Sequence, residues 1–284
     1  ISPSGFFWDS GAKGTEWFGG DIRKPHTANW HLIRKSADAV FFIIKQFLLM
    51  EKLGIEVKPS WRDGTRGVCD AFVRLWDDNR QFGQFVDSLT GEIRVGGSTS
   101  AAIAPAALAL AADYFKAPVY LEVATQSADY FYQNYTRHGL SCGGPGDALQ
   151  NPDSESWYAL IESYVALHDA TGDANWLERA GETARQFSTW VVSYDFEFPP
   201  GSTFAKAGIR TTGSVYYSAG AGTYSFKAGV LDPERLRPHL PGTPLRGRTP
   251  MARCAHSPIS TTLKSCTRPC SSSCSRGASS SGES

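Results

Sequence analysis

A helical hairpin that recurs along the chain most limits its possible folds. One copy runs from about residue 154 to residue 191, with an apolar segment, the turn Thr171-Gly172-Asp173 and an amphipathic segment. The glycine can end the first helix and Asp173 can cap the second. The first segment is apolar almost all round, which predicts a buried inner helix. The second has one apolar stripe and a charged opposite face, which predicts an outer helix.

The apolar stripe of the outer helix repeats at a fixed distance along the chain. Its positions are Trp176, Leu177, Ala180, Ala184, Phe187 and Val191, and a shift of 56 residues towards the N-terminus places Tyr120, Leu121, Ala124, Ala128, Phe131 and Tyr135 on them. A second shift of the same size places Val68, Phe72 and Leu75 on Ala124, Ala128 and Phe131. A period of this size indicates stacked helical units. The sequence therefore predicts an all-α fold built from repeated hairpins.

Helix and turn signals place the first two hairpins. The first has an inner helix from about Trp30 to Leu53 and an outer helix from about Gly64 to Trp76. The second has an inner helix that starts near Ala104, with Pro105 in its first turn, and an outer helix from Pro118 to about Tyr135. Proline is tolerated there because the first helical N–H groups have no partner. Between them, Thr90-Gly91 flanked by short apolar runs in residues 82–95 predicts a small β-hairpin.

The repeat fades near residue 230. A fourth inner helix is expected near Arg210 to Lys227, but Gly213, Gly220 and Gly222 would make it a poor helix. Pro238, Pro241 and Pro244 then lie among the positions of the fourth outer stripe and forbid a regular helix, so about three and a half hairpins are expected. We therefore divide the chain into a partial helical domain over residues 1–230 and a tail over residues 231–284.

The tail has no Phe, Trp or Tyr and ends in serine repeats. A segment of this composition cannot bury enough apolar surface to offset its ordering entropy. Three interpretations compete: a disordered tail, a metal site built from its four cysteines, and an out-of-frame continuation of a truncated gene. The cysteines lack paired C-x-x-C spacing, which argues against a metal. The abrupt change in composition favours the out-of-frame interpretation.

Charge and motifs exclude several classes of function. The 28 basic and 28 acidic residues balance, which argues against a general nucleic-acid or anionic-membrane surface. No apolar run is long enough to span a bilayer. The chain has no P-loop, no dinucleotide-binding glycine fingerprint and no H-E-x-x-H, so no cofactor or metal is predicted. The first residue is Ile1 and no leader precedes it, so a lost signal peptide stays open; the cytoplasm is slightly favoured, and oligomeric state is not determined.

Long loops over residues 77–98, 137–153 and 195–213 each lead into an inner helix. They should therefore gather at one end of the array, where function usually lies. Asp153 and Glu155 start the third inner helix there, and each suits either a helix cap or first turn, or general acid catalysis. Asp87 and Asp147 lie on the same loops and suit either a turn or a second catalytic carboxylate.

The candidate substrate-binding residues fall into three chemical groups. Aromatic side chains for stacking on a sugar are Trp157, Tyr158, Trp8 and Trp17; guanidinium groups for a substrate carboxylate are Arg94 and Arg210; imidazoles beside the first inner helix are His26 and His31. An arginine can hold a carboxylate by two parallel hydrogen bonds. Residues 1–28 are rich in glycine and aromatic residues. They suit either an arm packed over the domain or one wall of a sugar cleft.

The stretches TGDANWLERAGETA and VDSLTGEIRVGG, the latter followed by an Ala-rich helix, resemble the six-hairpin (α/α) toroid glycosidases. The chain is most similar to glucuronyl hydrolase-like, uronide-cleaving enzymes over about Phe6 to Tyr216. The resemblance implies an (α/α)6 toroid, incomplete here, and Asp or Glu at its mouth as acid and base. An incomplete ring is expected to be inactive by itself.

We therefore expect a carbohydrate-active enzyme, a glycoside hydrolase that cleaves an oligosaccharide, with uronic-acid units among its candidate substrates. Two alternatives stay open. A polysaccharide lyase or sugar epimerase on the same scaffold would depend on His26, His31 or Tyr158 rather than on carboxylates. A non-catalytic helical-repeat binding module would show no convergence of acidic side chains at the long-loop end.

Overall fold

The structure, a computed structural model, describes residues 1–11, 17–18, 25–144, 149–216 and 226–227. This part of the chain is mostly helical. Its helices are α1 (Ile33–Lys52), α2 (Pro59–Asn79), α3 (Ala104–Phe115), α4 (Pro118–Asn134), α5 (Glu155–Thr171), α6 (Asn175–Phe187) and the single turn α7 (Thr203–Lys206). Its strands are β1 (Ser10–Gly11), β2 (Trp17–Phe18), β3 (Trp30–Leu32), β4 (Phe85–Asp87), β5 (Ile93–Val95), β6 (Val215–Tyr216) and β7 (Phe226–Lys227).

The helices form two layers, as the sequence predicts. Helix α3 packs between α1 and α5, and these three make the inner layer. Helices α2, α4 and α6 pack on the outside of their hairpin partners. In the inner α5, Leu160 and Tyr164 are fully buried, and the ring of Tyr164 stacks on Trp176 of α6 with centroids 5.9 Å apart. The three hairpins are half of the six that the resemblance implies, and a closed toroid remains a prediction.

Local signals in the sequence set most helix ends. Gly54 and Gly172 follow α1 and α5 with φ of 72° and 71°, a left-handed conformation that glycine adopts without a steric cost. Prolines occupy the first turns of α2, α3 and α4. Helix α1 starts three residues later than predicted because residues 30–32 pair with β4 as an extended strand.

The β-hairpin predicted in residues 82–95 is present and gains a third strand. Strand β4 pairs antiparallel with β5 on one side and with β3 on the other. Trp30 lies opposite Asp87 in this register. The small sheet therefore joins the segment that precedes α1 to the long loop that precedes α3.

The prediction of a fourth inner helix is wrong for the described residues. Within its expected range of Arg210 to Lys227, Val215 and Tyr216 pair antiparallel with Phe226 and Lys227. Gly213 has a φ of 84°, which an α-helix cannot accommodate. The described residues thus contain three helical hairpins instead of three and a half. The predicted tail over residues 231–284 lies outside the described residues.

The N-terminal residues pack against the first hairpin. The ring of Phe6 is 1% exposed, stacks on His31 and meets the ring of Phe72 edge-on, with centroids 5.0 Å apart for the second pair. The amide of Ser4 donates to the carbonyl of Ser88. We call residues 1–11 the N-terminal arm. Its packing matches the interpretation of this segment as an arm over the domain.

One face of α1 has no inner neighbour among the described residues. Phe42, Leu49 and Leu53 lie along it and are 63%, 48% and 64% exposed. Helix α3, by contrast, is covered by an inner helix on each side. In the part of the chain that the structure describes, no helix is long and apolar enough to cross a membrane.

Candidate functional site

The first two long loops meet at one end of the inner layer. The Thr99 amide donates to the Cys142 carbonyl at 2.9 Å, and the Cys142 amide donates to the Thr99 hydroxyl at 2.9 Å. The Gln150 amide donates to the side-chain oxygen of Gln84, which is fully buried. These contacts fix the loops that precede α3 and α5 against each other. They agree with the predicted gathering of long loops.

Arg34 in the first turn of α1 is the centre of a polar cluster at this end. Its guanidinium forms an ion pair with Glu155 in the first turn of α5. It also donates to Asp38 Oδ2 at 3.1 Å, to the Gly144 carbonyl at 3.3 Å and to Tyr158 Oη at 3.1 Å. Two inner helices and one long loop thus converge on one cation. We call Arg34, Asp38, Glu155 and Tyr158 the Arg34 cluster.

The members of the Arg34 cluster differ in their access to solvent. The side chain of Glu155 is 1% exposed, that of Arg34 is 14% exposed and that of Asp38 is 33% exposed. Tyr158 is half-buried. Burial raises the pKa of its phenol, and Arg34 opposes this effect. Asp38 is therefore the carboxylate that solvent reaches most easily, and Tyr158 stays protonated at neutral pH.

Asp153 acts as a helix cap. Its Oδ1 accepts from the Ser156 amide at 2.7 Å, and its Oδ2 accepts from the Gly144 amide at 3.0 Å and the Ser156 hydroxyl at 3.1 Å. The residue is fully buried. Burial raises the pKa of the Asp153 carboxyl despite these hydrogen bonds. Of the two interpretations of Asp153, the geometry favours the cap, since no face of the carboxyl meets solvent.

Asp87 is held on all sides by its own loop. Its Oδ1 accepts from the amides of Leu89 and Thr90, and its Oδ2 accepts from Arg94 Nε at 3.2 Å and Nη2 at 2.9 Å. Burial alone would raise the pKa of Asp87, but the bonds from Arg94, Leu89 and Thr90 outweigh it and lower that pKa. A carboxylate accepts about four hydrogen bonds, so Asp87 has little capacity left for a substrate.

Asp87 and Arg94 line a cavity of about 290 Å³ together with His26, Asn29 and Trp30. The structure thus brings together three of the predicted site residues, namely His26, Asp87 and Arg94. Neither Asp153 nor Glu155 lines this cavity. The predicted carboxylates therefore occupy two separate places: Asp87 lines the cavity, and Glu155 lies in the Arg34 cluster.

His31 belongs to a buried hydrogen-bonded chain beneath the N-terminal arm. Its Nδ1 contacts an Asp9 carboxylate oxygen, and its Nε2 lies 2.8 Å from Ser36 Oγ. The amide of Phe7 donates to the same hydroxyl at 3.0 Å. His31 and Ser36 are fully buried. The connectivity matches that of a Ser-His-Asp triad, but burial removes the serine oxygen from any substrate. These hydrogen bonds among Asp9, His31 and Ser36 fasten the N-terminal arm to α1. His31 is therefore not a substrate-binding residue in this arrangement.

The other predicted site residues that the structure describes belong to the core of the third hairpin, the third long loop and the N-terminal segment. Trp157 is 2% exposed and packs in a small core with Ile161, Phe187 and Val215, so its ring does not face a ligand. Arg210 donates to Asp195 at 3.1 Å within the third long loop. Trp8 is half-buried in the N-terminal arm, and Trp17 lies in β2. Asp147 lies outside the described residues.

Sequence reasoning missed Arg34 and Asp38. Their spacing of four on a helix is a visible signal, because such pairs lie on one face. A charged pair at the start of an otherwise apolar inner helix is costly to bury without a partner. That combination would have indicated a polar partner elsewhere in the chain. It would not have identified Glu155 as that partner. In the part of the chain that the structure describes, no three His, Cys, Asp or Glu residues form a group that could hold a metal ion.

Comparisons with known proteins give little guidance. No protein-family model matches the chain, and no curated protein matches it. One solved structure that aligns with it is a D-mannose isomerase, with 15% identity and a TM-score of 0.40. The alignment covers 64% of this chain and 43% of that protein. The chain thus spans less than half of that protein's length.

Proposed function

We propose that the chain is a carbohydrate-processing enzyme and that the Arg34 cluster is the centre of its acid–base chemistry. The observation that carries this proposal is the convergence of Glu155 and Tyr158 from α5, Asp38 from α1 and the loop carbonyl of Gly144 on Arg34. Acidic groups from separate elements that meet at the loop end of a rigid helical scaffold are typical of active sites.

Glycoside hydrolysis is the first candidate reaction. It requires two carboxyl groups on either side of a glycosidic bond, one to protonate the leaving oxygen and one to activate water or attack the sugar. Asp38 is the carboxyl of the Arg34 cluster that a substrate can reach, and the 1%-exposed Glu155 holds Arg34 beside it. Arg34 in turn fixes the Asp38 carboxylate by a hydrogen bond. Tyr158 Oη–H supplies a further donor for a sugar oxygen.

Proton abstraction from a sugar is the second candidate and covers epimerases and lyases. Asp38 is the accessible carboxylate of the cluster and the candidate base that takes a proton from a sugar carbon. The Arg34 guanidinium can stabilise negative charge that develops on a carbonyl-bearing substrate. Tyr158, protonated at neutral pH, can return a proton. Arg34 at the centre of the cluster is the observation that favours this reaction class.

One assay tests both reactions. The purified chain would be incubated with neutral and uronic-acid oligosaccharides and with simple sugars, and the products separated by chromatography. Hydrolysis shortens the oligosaccharide, a lyase leaves an unsaturated sugar at the new end, and an epimerase converts one sugar into another. Glu155→Gln and Asp38→Asn should each lower turnover about a hundredfold or more. Asp113→Asn is the matched control, because its 85%-exposed carboxylate pairs with Lys116 at the far end of α3.

The incomplete ring expected from the sequence makes binding a necessary second readout. If the chain turns over no substrate, sugar binding is measured for wild type and for Arg34→Gln, which removes the centre of the cluster. Binding that Arg34→Gln abolishes and Asp113→Asn leaves intact would support the cluster as the sugar site. The absence of both turnover and binding, or equal activity of Glu155→Gln and wild type, would contradict the proposed function.

A further inference from the structure

The cavity lined by His26, Asn29, Trp30, Asp87 and Arg94 has no role in the chemistry proposed for the Arg34 cluster. Its volume of about 290 Å³ lies near the lower limit for small-molecule sites. It therefore has space for one small polar molecule, such as a single sugar unit. Its chemistry can be deduced from the charges around Arg94 and from the position of Trp30.

Arg94 is occupied by two carboxylates. Its Nε and Nη2 donate to Asp87 Oδ2, and its Nη1 lies 3.0 Å from Glu92 Oε2. One positive charge and two negative charges leave a local excess of negative charge beside the cavity. An incoming carboxylate would compete with Asp87 and Glu92 for the same guanidinium and be repelled by both. The expectation that Arg94 binds a substrate carboxylate therefore does not fit this arrangement.

Trp30 is held in a fixed position beside these charges. Its backbone pairs with Asp87 across the β3–β4 ladder, and its ring packs against Phe85 with centroids 5.8 Å apart. Trp30 is partly exposed and lines the cavity. Asn29 supplies an amide that can donate and accept, and the exposed His26 supplies a ring that can do the same when neutral.

We propose that this cavity is a subsite for an uncharged sugar unit of the substrate. An uncharged pyranose has an apolar C–H face that packs on an indole ring and hydroxyl groups that exchange hydrogen bonds with amide and imidazole groups. It carries no charge that Asp87 and Glu92 would repel. This inference rests on the proposed function and narrows its substrate class. The unit bound beside Trp30 is neutral, even where the rest of the substrate carries a uronic acid.

The test measures binding by ligand-observed NMR, with methyl glycosides of neutral hexoses as probes and methyl glucuronide as the charged counterpart. Neutral glycosides should bind wild type more tightly than the glucuronide does. Trp30→Ala should weaken neutral binding roughly tenfold, and Trp30→Phe should retain part of it because an aromatic face remains. Glu92→Gln should leave neutral binding unchanged and improve glucuronide binding, since it removes one repelling charge.

Glu178→Gln is the matched control for Glu92→Gln, because it neutralises an exposed carboxylate on the outer helix α6 and should change neither affinity. Three outcomes would overturn the subsite: tighter binding of the glucuronide by wild type, no binding of any neutral glycoside, or unchanged neutral binding in both Trp30 variants. The readout needs no turnover. A Glu155→Gln variant that retains neutral-sugar binding therefore separates failure of the subsite from failure of the proposed chemistry.

Discussion

Arg34 and Glu155 lie at the starts of two different inner helices and form an ion pair that is almost closed to solvent. The first turn of α1 therefore meets the first turn of α5. A second ion pair, between Lys45 and Glu162, joins the same helices further along. The Arg34–Glu155 pair thus fixes the relative position of the first and third hairpins.

Replacement of Arg34 by methionine should destabilise the protein by about 3 kcal/mol, because it leaves the Glu155 carboxylate buried without its counter-charge. Adding Glu155→Gln removes that charge and should recover part of the loss. Urea unfolding of the two single variants and the double variant provides the measurement. A double variant as unstable as Arg34→Met would show that the buried charge is not the cause.

The cap at Asp153 should make stability fall as pH rises. Burial raises the pKa of this carboxyl above its ordinary value of 3.8, so the folded protein binds the proton more tightly than the unfolded chain does. The resulting stabilisation is fully present below the ordinary value and is lost as pH rises through the raised value. The free energy of unfolding of wild type minus that of Asp153→Asn should therefore decrease from about pH 4 upwards.

Urea unfolding at a series of pH values measures this difference, and the comparison with Asp153→Asn cancels the contributions of other groups. The lowered pKa of Asp87 acts in the opposite direction and is present in both proteins. A difference that increases with pH would contradict the assignment of Asp153 as a buried cap dominated by desolvation.

Leu160→Asp should unfold the third hairpin, because Leu160 is fully buried in the inner helix α5 and the new charge would have no partner. Val119→Asp is the matched change on an exposed position in the first turn of α4, where a negative charge is favourable. It should change stability by no more than about 0.5 kcal/mol. Circular dichroism during thermal unfolding compares the two. Similar effects of both variants would contradict the division into inner and outer helices.

Ser36→Ala should destabilise the protein by about 2 kcal/mol, because it leaves the buried His31 imidazole and the Phe7 amide without their shared partner. Ser60→Ala, at an exposed position in the first turn of α2, should have an effect within about 0.5 kcal/mol. Wild type should also resist labelling by a fluorophosphonate. Stoichiometric labelling of Ser36 would show that the N-terminal arm opens and that the serine is a reactive nucleophile.

Local sequence patterns predicted most of the helical framework. The 3.6-residue periodicity, the glycines after α1 and α5 and the prolines in the first turns of α3 and α4 all act over a few residues. Helix α2, predicted from about Gly64, starts five residues earlier, with Pro59 in its first turn. The prediction of a fourth inner helix was wrong because Gly213 has a left-handed conformation and residues 215–216 pair as a strand with Phe226 and Lys227. Strand pairing depends on a distant segment, and periodicity within one segment does not report it.

The candidate site divides in the same way. The sequence alone determined that acidic and aromatic residues would stand at the starts of the inner helices, since their positions follow from helix boundaries. Only the tertiary structure decided which of these side chains are exposed and have hydrogen-bonding groups free to contact a substrate. It placed Glu155 against Arg34, enclosed Asp153 as a cap, saturated Asp87 with four hydrogen bonds and buried Trp157. The reason is physical: burial and hydrogen-bond partners arise from segments far apart in the chain, whose relative placement no local pattern contains.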